Sequence, residues 1–232
     1  NKVTFLGLFS LLILIVMVFF TAQFLKVWDE KIYKNPVVEN IQTQFQKIVI
    51  TKKQEDVRLF LNRSIQFSSL DEHRYHELLV HVPMTIHPNP KTVLILGGGE
   101  NLASREVLKH LNVRAIDVVD IDSTIFHLSK HNKLLLDINQ GASKNPKVNL
   151  IVDDAFIYLK NNFKQYDIII SDLPDPSNDA IARLYSKQFF MLVKKNLHEK
   201  GIFVTQSGEI YYSNQAFSCI KNTVNEVFGH TK

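Results

Sequence analysis

Cysteine is almost missing from this chain. Cys219 is the only one in 232 residues, which excludes an internal disulfide and a cysteine-rich metal site. That scarcity agrees with a reducing compartment. Charge of one sign is also scarce: 27 Lys and Arg against 23 Asp and Glu leave +4. The excess is scattered, so it forms no basic stripe for nucleic acid and exerts only a weak pull toward an anionic lipid surface. Repeats and low-complexity segments are absent. Glycine is sparing, eight in all, yet three stand together at Gly97-Gly98-Gly99. Charge is lacking altogether from residues 3–25, a run from Val3 to Leu25 that is almost wholly apolar.

That run matches the roughly 20 residues needed to cross a bilayer. It is longer than the apolar core of a signal peptide, about 7–15 residues. No small-residue cleavage pattern follows; Lys26, Val27, Trp28 and Asp29 come next. A transmembrane helix is therefore expected over residues 1–26. Lys26, Lys31 and Lys34 follow the run, against Lys2 before it, which places the remainder in the cytoplasm by the positive-inside rule. Trp28 and Tyr33 are expected at headgroup level. The chain begins with Asn1 rather than Met, so it is expected to be a piece of something longer.

Residues 27–44, with Asn35-Pro36, read as a linker. Residues 45–70 read as a small antiparallel β unit, with strand-like bursts at 48–51, 57–61 and 65–67. Asn62-Arg63 makes a tight turn between the last two. Asp71 and Glu72 favour the start of a helix over 71–81. Within 71–232 the pattern becomes strand, helix, strand. Apolar runs at 92–96, 115–119, 148–152, 166–170 and 202–205 alternate with helical stretches at 102–110, 123–135, 155–161, 186–196 and 214–228. That alternation predicts an α/β fold with a doubly wound, Rossmann-like (class I methyltransferase-like) parallel sheet.

The candidate site collects at the ends of those strands, where open α/β sheets bind ligands. Gly97 to Gly99 join a strand to a helix, so a ligand can approach the backbone closely. The G-x-G-x-x-G fingerprint is only partly met, because Leu102 takes the third glycine's place; a tight packing turn is the plainer reading. Asp120 lies about 20 residues on, where an acid binds ribose hydroxyls, and Asp122 is an alternative for that role. Asp154 ends the third strand, where a carboxylate can accept from an adenine amino group. Asp172-Leu173-Pro174-Asp175-Pro176 puts two carboxylates in a proline-stiffened loop. Asp and Pro are also ordinary turn residues. With Glu100, five acids share one sheet edge in a chain of positive net charge, which suggests a cationic ligand. His76 and His81 stand five apart, not the four of a helical zinc motif, so no metal is expected.

Residues from about Phe45 to Phe228 resemble the spermidine synthases, the polyamine aminopropyltransferases. Phe45-Gln46-Lys47-Ile48 is similar to the family's Tyr-Gln-x-Ile strand. Gln66 and then Asp71-Glu72-His73-Arg74-Tyr75-His76-Glu77 resemble its Gln…Asp-Glu-x-x-Tyr-His-Glu segment. Gly97-Gly98-Gly99-Glu100 is similar to its Gly-Gly-Gly-Asp turn, and Asp172 to Pro176 to its Asp-x-x-Asp-Pro loop. The Leu-Pro in that loop, Pro36-Val37-Val38 and the preceding apolar span resemble the membrane-anchored branch. The resemblance implies transfer of the aminopropyl group of decarboxylated S-adenosylmethionine to putrescine or a related polyamine. It implies that Gln46, Gly97, Gly99, Asp120, Asp154 and Ala155 hold the cosubstrate. Tyr75, His76, Glu100 and Asp175 would line the amine channel, and Asp172 would take the proton. Partners implied are the polyamine and the membrane, with a homo-oligomer compatible and no nucleic acid.

Departures from the family are Glu100 for Asp, Asn62-Arg63 for Asp-Gly, and the missing Gly-Pro after Asp175-Pro176. Family members also continue beyond the counterpart of Lys232, so a truncated C-terminus is expected. The competing readings are a class I S-adenosylmethionine-dependent methyltransferase and a non-catalytic nucleoside- or polyamine-binding relative.

Overall fold

The computed structural model describes residues 2–176, 178–208 and 213–229; in its first helix, side chains are described at 7, 9–18, 20, 21, 28 and 31–33. The chain divides into two compact units, Asn1–Asp71 and Glu72–Lys232.

The first unit opens with helix α1 (Lys2–Tyr33). Among the described residues no helix is long and apolar enough to cross a membrane, so the expected span is not found among them. Strands β1 (Val37–Gln42), β2 (Lys47–Lys53), β3 (Asp56–Leu61) and β4 (Ser64–Ser68) follow. They form one antiparallel sheet in sequence order. Residues 27–44 are thus not a linker: they hold the end of α1 and all of β1. Polar Glu39-Asn40 conceals a period-two pattern, in which Val37, Glu39 and Ile41 are half-buried while their neighbours are exposed. Asn62 and Arg63 join β3 to β4 with φ of 49° and 71°, the two left-handed residues of a tight hairpin. Tyr33 does not stand at a headgroup level. It is 3% exposed, its ring 4.9 Å from that of Phe60, in a small core shared with Val49.

The second unit starts with α2 (Glu72–Ile86), which runs five residues past its expected end. Its buried positions Glu72, His76, Leu79, Val80, Pro83 and Met84 recur at helical spacing. Then come β5 (Thr92–Gly97), α3 (Leu102–Leu108), β6 (Ala115–Asp120), α4 (Ser123–His131) and α5 (Lys133–Ile138). After these come β7 (Val148–Val152), α6 (Ala155–Asn161), β8 (Tyr166–Asp172), α7 (Asp179–Ala182), α8 (Lys187–Lys195), β9 (Leu197–Thr205) and α9 (Asn214–Phe228). The helix expected over 123–135 is two helices. Asn132 is extended, and its side chain accepts from the N–H groups of Leu134 and Leu135, capping α5.

The sheet order is β7-β6-β5-β8-β9, with every pairing parallel. Val93 to Leu96 and Ile168 to Ile170 are fully buried, as central strands covered by helices on both faces must be. One layer packs Leu94, Leu96 and Ile169 with Phe189 and Phe190 of α8. The other packs Ile95, Val118 and Ile170 with Val80 of α2 and Val107 of α3. Chain order reverses between β5 and β8, and a ligand crevice opens beyond the strand ends at such a point.

Candidate active site

The turn after β5 is built around two acids on neighbouring strands. Gly97 pairs with Asp172 in register and has φ +80°; a Cβ there would lie 2.1 Å from the Asp172 carbonyl oxygen. Only glycine fits so close an approach. At Gly99 a Cβ would lie 2.8 Å from Asp120 Oδ2 and 2.3 Å from Ile125 Cγ2. The Gly99 N–H donates to Asp120 Oδ2 (3.2 Å). Asn101 Nδ2 donates to the Gly99 carbonyl (2.8 Å) and braces the turn.

Four predicted side chains meet beside this turn. Tyr75 Oη donates to Asp172 Oδ1 (2.7 Å). Burial, and then the Asp172 carboxylate, push the Tyr75 hydroxyl far above its ordinary range, so it remains a donor. The Tyr75 ring meets His76 edge-on, with centroids 4.9 Å apart. His76 Nε2 lies 3.9 Å from Glu100 Oε1. A ring nitrogen of His76, an oxygen of Glu100 and an oxygen of Asp172 all lie within 4.8 Å of one another. Burial, and then Asp172, push Glu100 up to about 7. Such a convergence of acids suits one small cationic group. Glu72 engages His76 Nδ1 (2.8 Å), which leaves Nε2 as the ring nitrogen toward Glu100.

Asp120 also accepts from the Asp122 N–H (2.9 Å). Burial raises it to about 6, against the pull of these two N–H donors. Asp122 is 2% exposed and caps α4 by accepting from the Thr124 N–H. That leaves Asp120 as the better placed of the two acids. Asp154 is less free than expected. Its Oδ1 accepts from the Phe156 and Ile157 N–H groups (2.9 and 3.1 Å), capping α6, and its Oδ2 accepts from Arg183. Ala155 is buried beside it. Asp175 is exposed and stands outside the convergence of His76, Glu100 and Asp172. Gln46 belongs to the first unit, between β1 and β2, where its N–H donates to Thr43 Oγ1 (3.0 Å).

Two groups of residues escaped the sequence reading. Tyr185 Oη donates to the carbonyls of Leu173 (3.2 Å) and Pro174 (3.0 Å), and Gln206 Nε2 also donates to the Leu173 carbonyl. Together they pin the acidic loop from behind. The second group starts from Glu72, which grips His76 and is in turn gripped by Arg105 through two bonds of 2.8 and 2.9 Å. The Glu72–His76 spacing of four on a helix was the available signal; nothing in sequence ties Arg105 to either.

Comparison with known proteins agrees with this geometry. Residues 72–232 match the spermine/spermidine synthase domain. The chain is 41% identical over 196 residues to a polyamine aminopropyltransferase of Leptospira interrogans, covering 84% of this chain and 39% of that protein. It is 39% identical over 212 residues to one of Oceanobacillus iheyensis, covering 91% and 41%. The chain thus spans about two fifths of the length of these curated relatives. A crystal structure of a spermidine synthase in complex with the transition state analogue AdoDATO superposes with a TM-score of 0.78 at 29% identity, covering 84% of this chain and 66% of that one. With the glycine turn, the Tyr75-His76 pair and the Asp172 loop all in the matched region, the chain belongs to the spermine/spermidine synthase family.

Proposed function

We propose that this chain is an aminopropyltransferase, which moves the aminopropyl group of decarboxylated S-adenosylmethionine onto putrescine or a related polyamine. The products are spermidine and methylthioadenosine. The observation that carries this reading is the convergence of Tyr75, His76, Glu100 and Asp172 beside the glycine turn.

Both reactants are cations and repel each other, by about 1 kcal/mol at ~4 Å in water and several times more in a protein cleft. Acids at the strand ends offset that repulsion. The amine lone pair forms a bond to the propyl carbon next to the sulfonium. The carbon–sulfur bond breaks, its electron pair stays on sulfur, and the nitrogen's proton passes to Asp172. Tyr75 fixes the Asp172 carboxylate by donating to Oδ1. Asp120 accepts from the ribose hydroxyls, the Gly97 and Gly99 backbone borders the nucleoside, and Asp154 with Ala155 walls the adenine end. Asp175 lines the amine path. Positioning supplies most of the acceleration, about 7–11 kcal/mol in well-oriented cases. A general base adds roughly 100- to 10,000-fold.

Within this reading residues 72–232 carry the chemistry, and α1 anchors the protein in a membrane with the remainder in the cytoplasm. Support for the anchor is the uncharged run from Val3 to Leu25 and the exposure of every described large apolar side chain from Phe9 to Phe20, between 43% and 76%.

The test is incubation with putrescine and either decarboxylated or intact S-adenosylmethionine, with products identified by mass. Spermidine and methylthioadenosine from the decarboxylated cosubstrate are expected. Methyl transfer from the intact one would support a methyltransferase instead. No product from either, with methylthioadenosine still binding, would leave a binding protein.

A further inference from the structure

A chain of buried charges runs away from the site through α2 and α3. Glu72 is 8%, Arg105 7% and Glu106 1% exposed. His76 Nδ1 contacts Glu72 Oε2 (2.8 Å) and the Glu72 carbonyl (2.9 Å). The Arg105 fork closes on both Glu72 oxygens, and Arg105 Nε donates to Glu106 Oε1 (2.8 Å). Glu106 Oε2 accepts from Lys109 (2.6 Å) and contacts His81 Nε2 (2.9 Å). His81 Nδ1 in turn contacts His110 Nε2 (2.9 Å). A buried carboxylate with this many donors stays ionised. A fork of two bonds also fixes where it points.

Resting on the aminopropyl-transfer reading, we propose that Glu72 is a positioning residue: it holds His76 as an imidazolium whose Nε2–H faces Glu100 and Asp172, and so limits the positive charge the pocket accepts. Once Glu100, raised to about 7, has ionised, it and Asp172 together carry two negative charges, and a fixed imidazolium leaves one. An acceptor arriving as an ammonium cancels that last charge; close to the sulfonium, it gives up its proton more readily than in a pocket of charge minus two. His76 thereby favours the neutral amine that can attack, without touching the reacting carbon.

The groups facing His76 are Glu72 and Tyr75 from α2, Glu100 from the turn after β5 and Asp172 from β8, with Arg105 of α3 behind Glu72. Burial opposes the ring's charge. The Glu72 hydrogen bond and the Asp172 and Glu100 carboxylates outweigh it, and the ring titrates above its ordinary value. Glu72 itself is held down to about 2 by His76 and Arg105 despite its burial, so the partner charge persists at every working pH.

The experiment has two arms on the full chain. In the first, ring NMR titrates His76 in the wild-type protein, assigned by comparison with His76→Gln. A pKa above the pH of the kinetic assay is expected; a value below it leaves the ring neutral and overturns the inference. In the second, kcat/KM against pH is compared between wild type and Glu72→Gln, which keeps the shape and loses the charge. The alkaline limb should move to lower pH by about one unit or more, the usual effect of losing a paired charge. A profile merely scaled down, with its limbs unmoved, also overturns it. If Glu72→Gln does not fold, Glu72→Asp, whose carboxylate is one methylene shorter, takes its place, and the limb should move in the same direction. If the wild-type protein transfers no aminopropyl group, the reaction assignment falls, and the titration still decides the state of His76.

Discussion

Asp172 and Asp120 are both carboxylates at strand ends, yet their partners differ. Asp172 takes a hydrogen bond from Tyr75 and lies within reach of Glu100 and His76. Asp120 takes its bonds from the glycine turn and the residue two along. Asp172→Asn should therefore lower kcat by roughly 100- to 10,000-fold and leave methylthioadenosine affinity nearly unchanged. Asp120→Ala should do the converse, weakening the nucleoside about 10- to 100-fold, since a hydrogen bond to a charged group is worth about 1.5–3 kcal/mol. Steady-state kinetics and calorimetric titration separate the two. Full activity in Asp172→Asn would remove it as the base. These acids were legible in the sequence because strand ends and turn glycines mark themselves locally. Arg105 was not, because its contact with Glu72 spans 33 residues and only the packing of α2 on α3 creates it. The engagement of Asp154 escaped for the same reason: its Arg183 partner arrives from the far side of β8 in sequence.

At the scale of elements, four of the five parallel strands could be read with nearly correct bounds, while β9 begins at Leu197, five residues before its expected start. Each is a short apolar run ended by a turn or an acid, and burial on both faces enforces that composition. Strand β1 escaped because an edge strand is buried on one side only, so Glu39 and Asn40 look like loop. The break between α4 and α5 escaped because helical spacing runs through Asn132, while its side chain turns back to cap the next helix. Helix α1 (Lys2–Tyr33) shows both kinds of outcome. Its last residue is locked into the first unit's core by Phe60, whereas Leu14, Met17 and Phe20 stand 62%, 65% and 76% exposed. A contiguous apolar surface of that kind is costly in water. The chain expressed in bacteria should therefore stay with the membrane pellet after an alkaline carbonate wash, and residues 34–232 should not. Full release of the whole chain by carbonate would end the anchor reading.

For the molecule as a whole, the site's acids set how stability depends on pH. Glu100 and Asp120 are raised from 4.5 to about 7 and from 3.8 to about 6. A carboxyl raised in the fold destabilises it above the folded value, and that penalty fades as pH falls toward the unfolded value. At about 1.4 kcal/mol per unit, each penalty is roughly 3 kcal/mol. Glu72 is lowered from 4.5 to about 2, so its contribution is full above pH 4.5 and is lost as pH falls toward 2. The ligand-free protein should therefore have a higher urea midpoint at pH 5 than at pH 8, and a lower one again at pH 3. Glu100→Gln should raise the midpoint at pH 8 and flatten the rise toward pH 5, leaving the fall to pH 3 in place. A wild-type midpoint highest at pH 8 would mean that burial and neighbouring charge do not raise these acids in the fold. On the aminopropyl-transfer reading, a cationic ligand would supply the missing countercharge. Putrescine should then raise the midpoint more at pH 8, where the acids are ionised, than at pH 5, where protons already neutralise them.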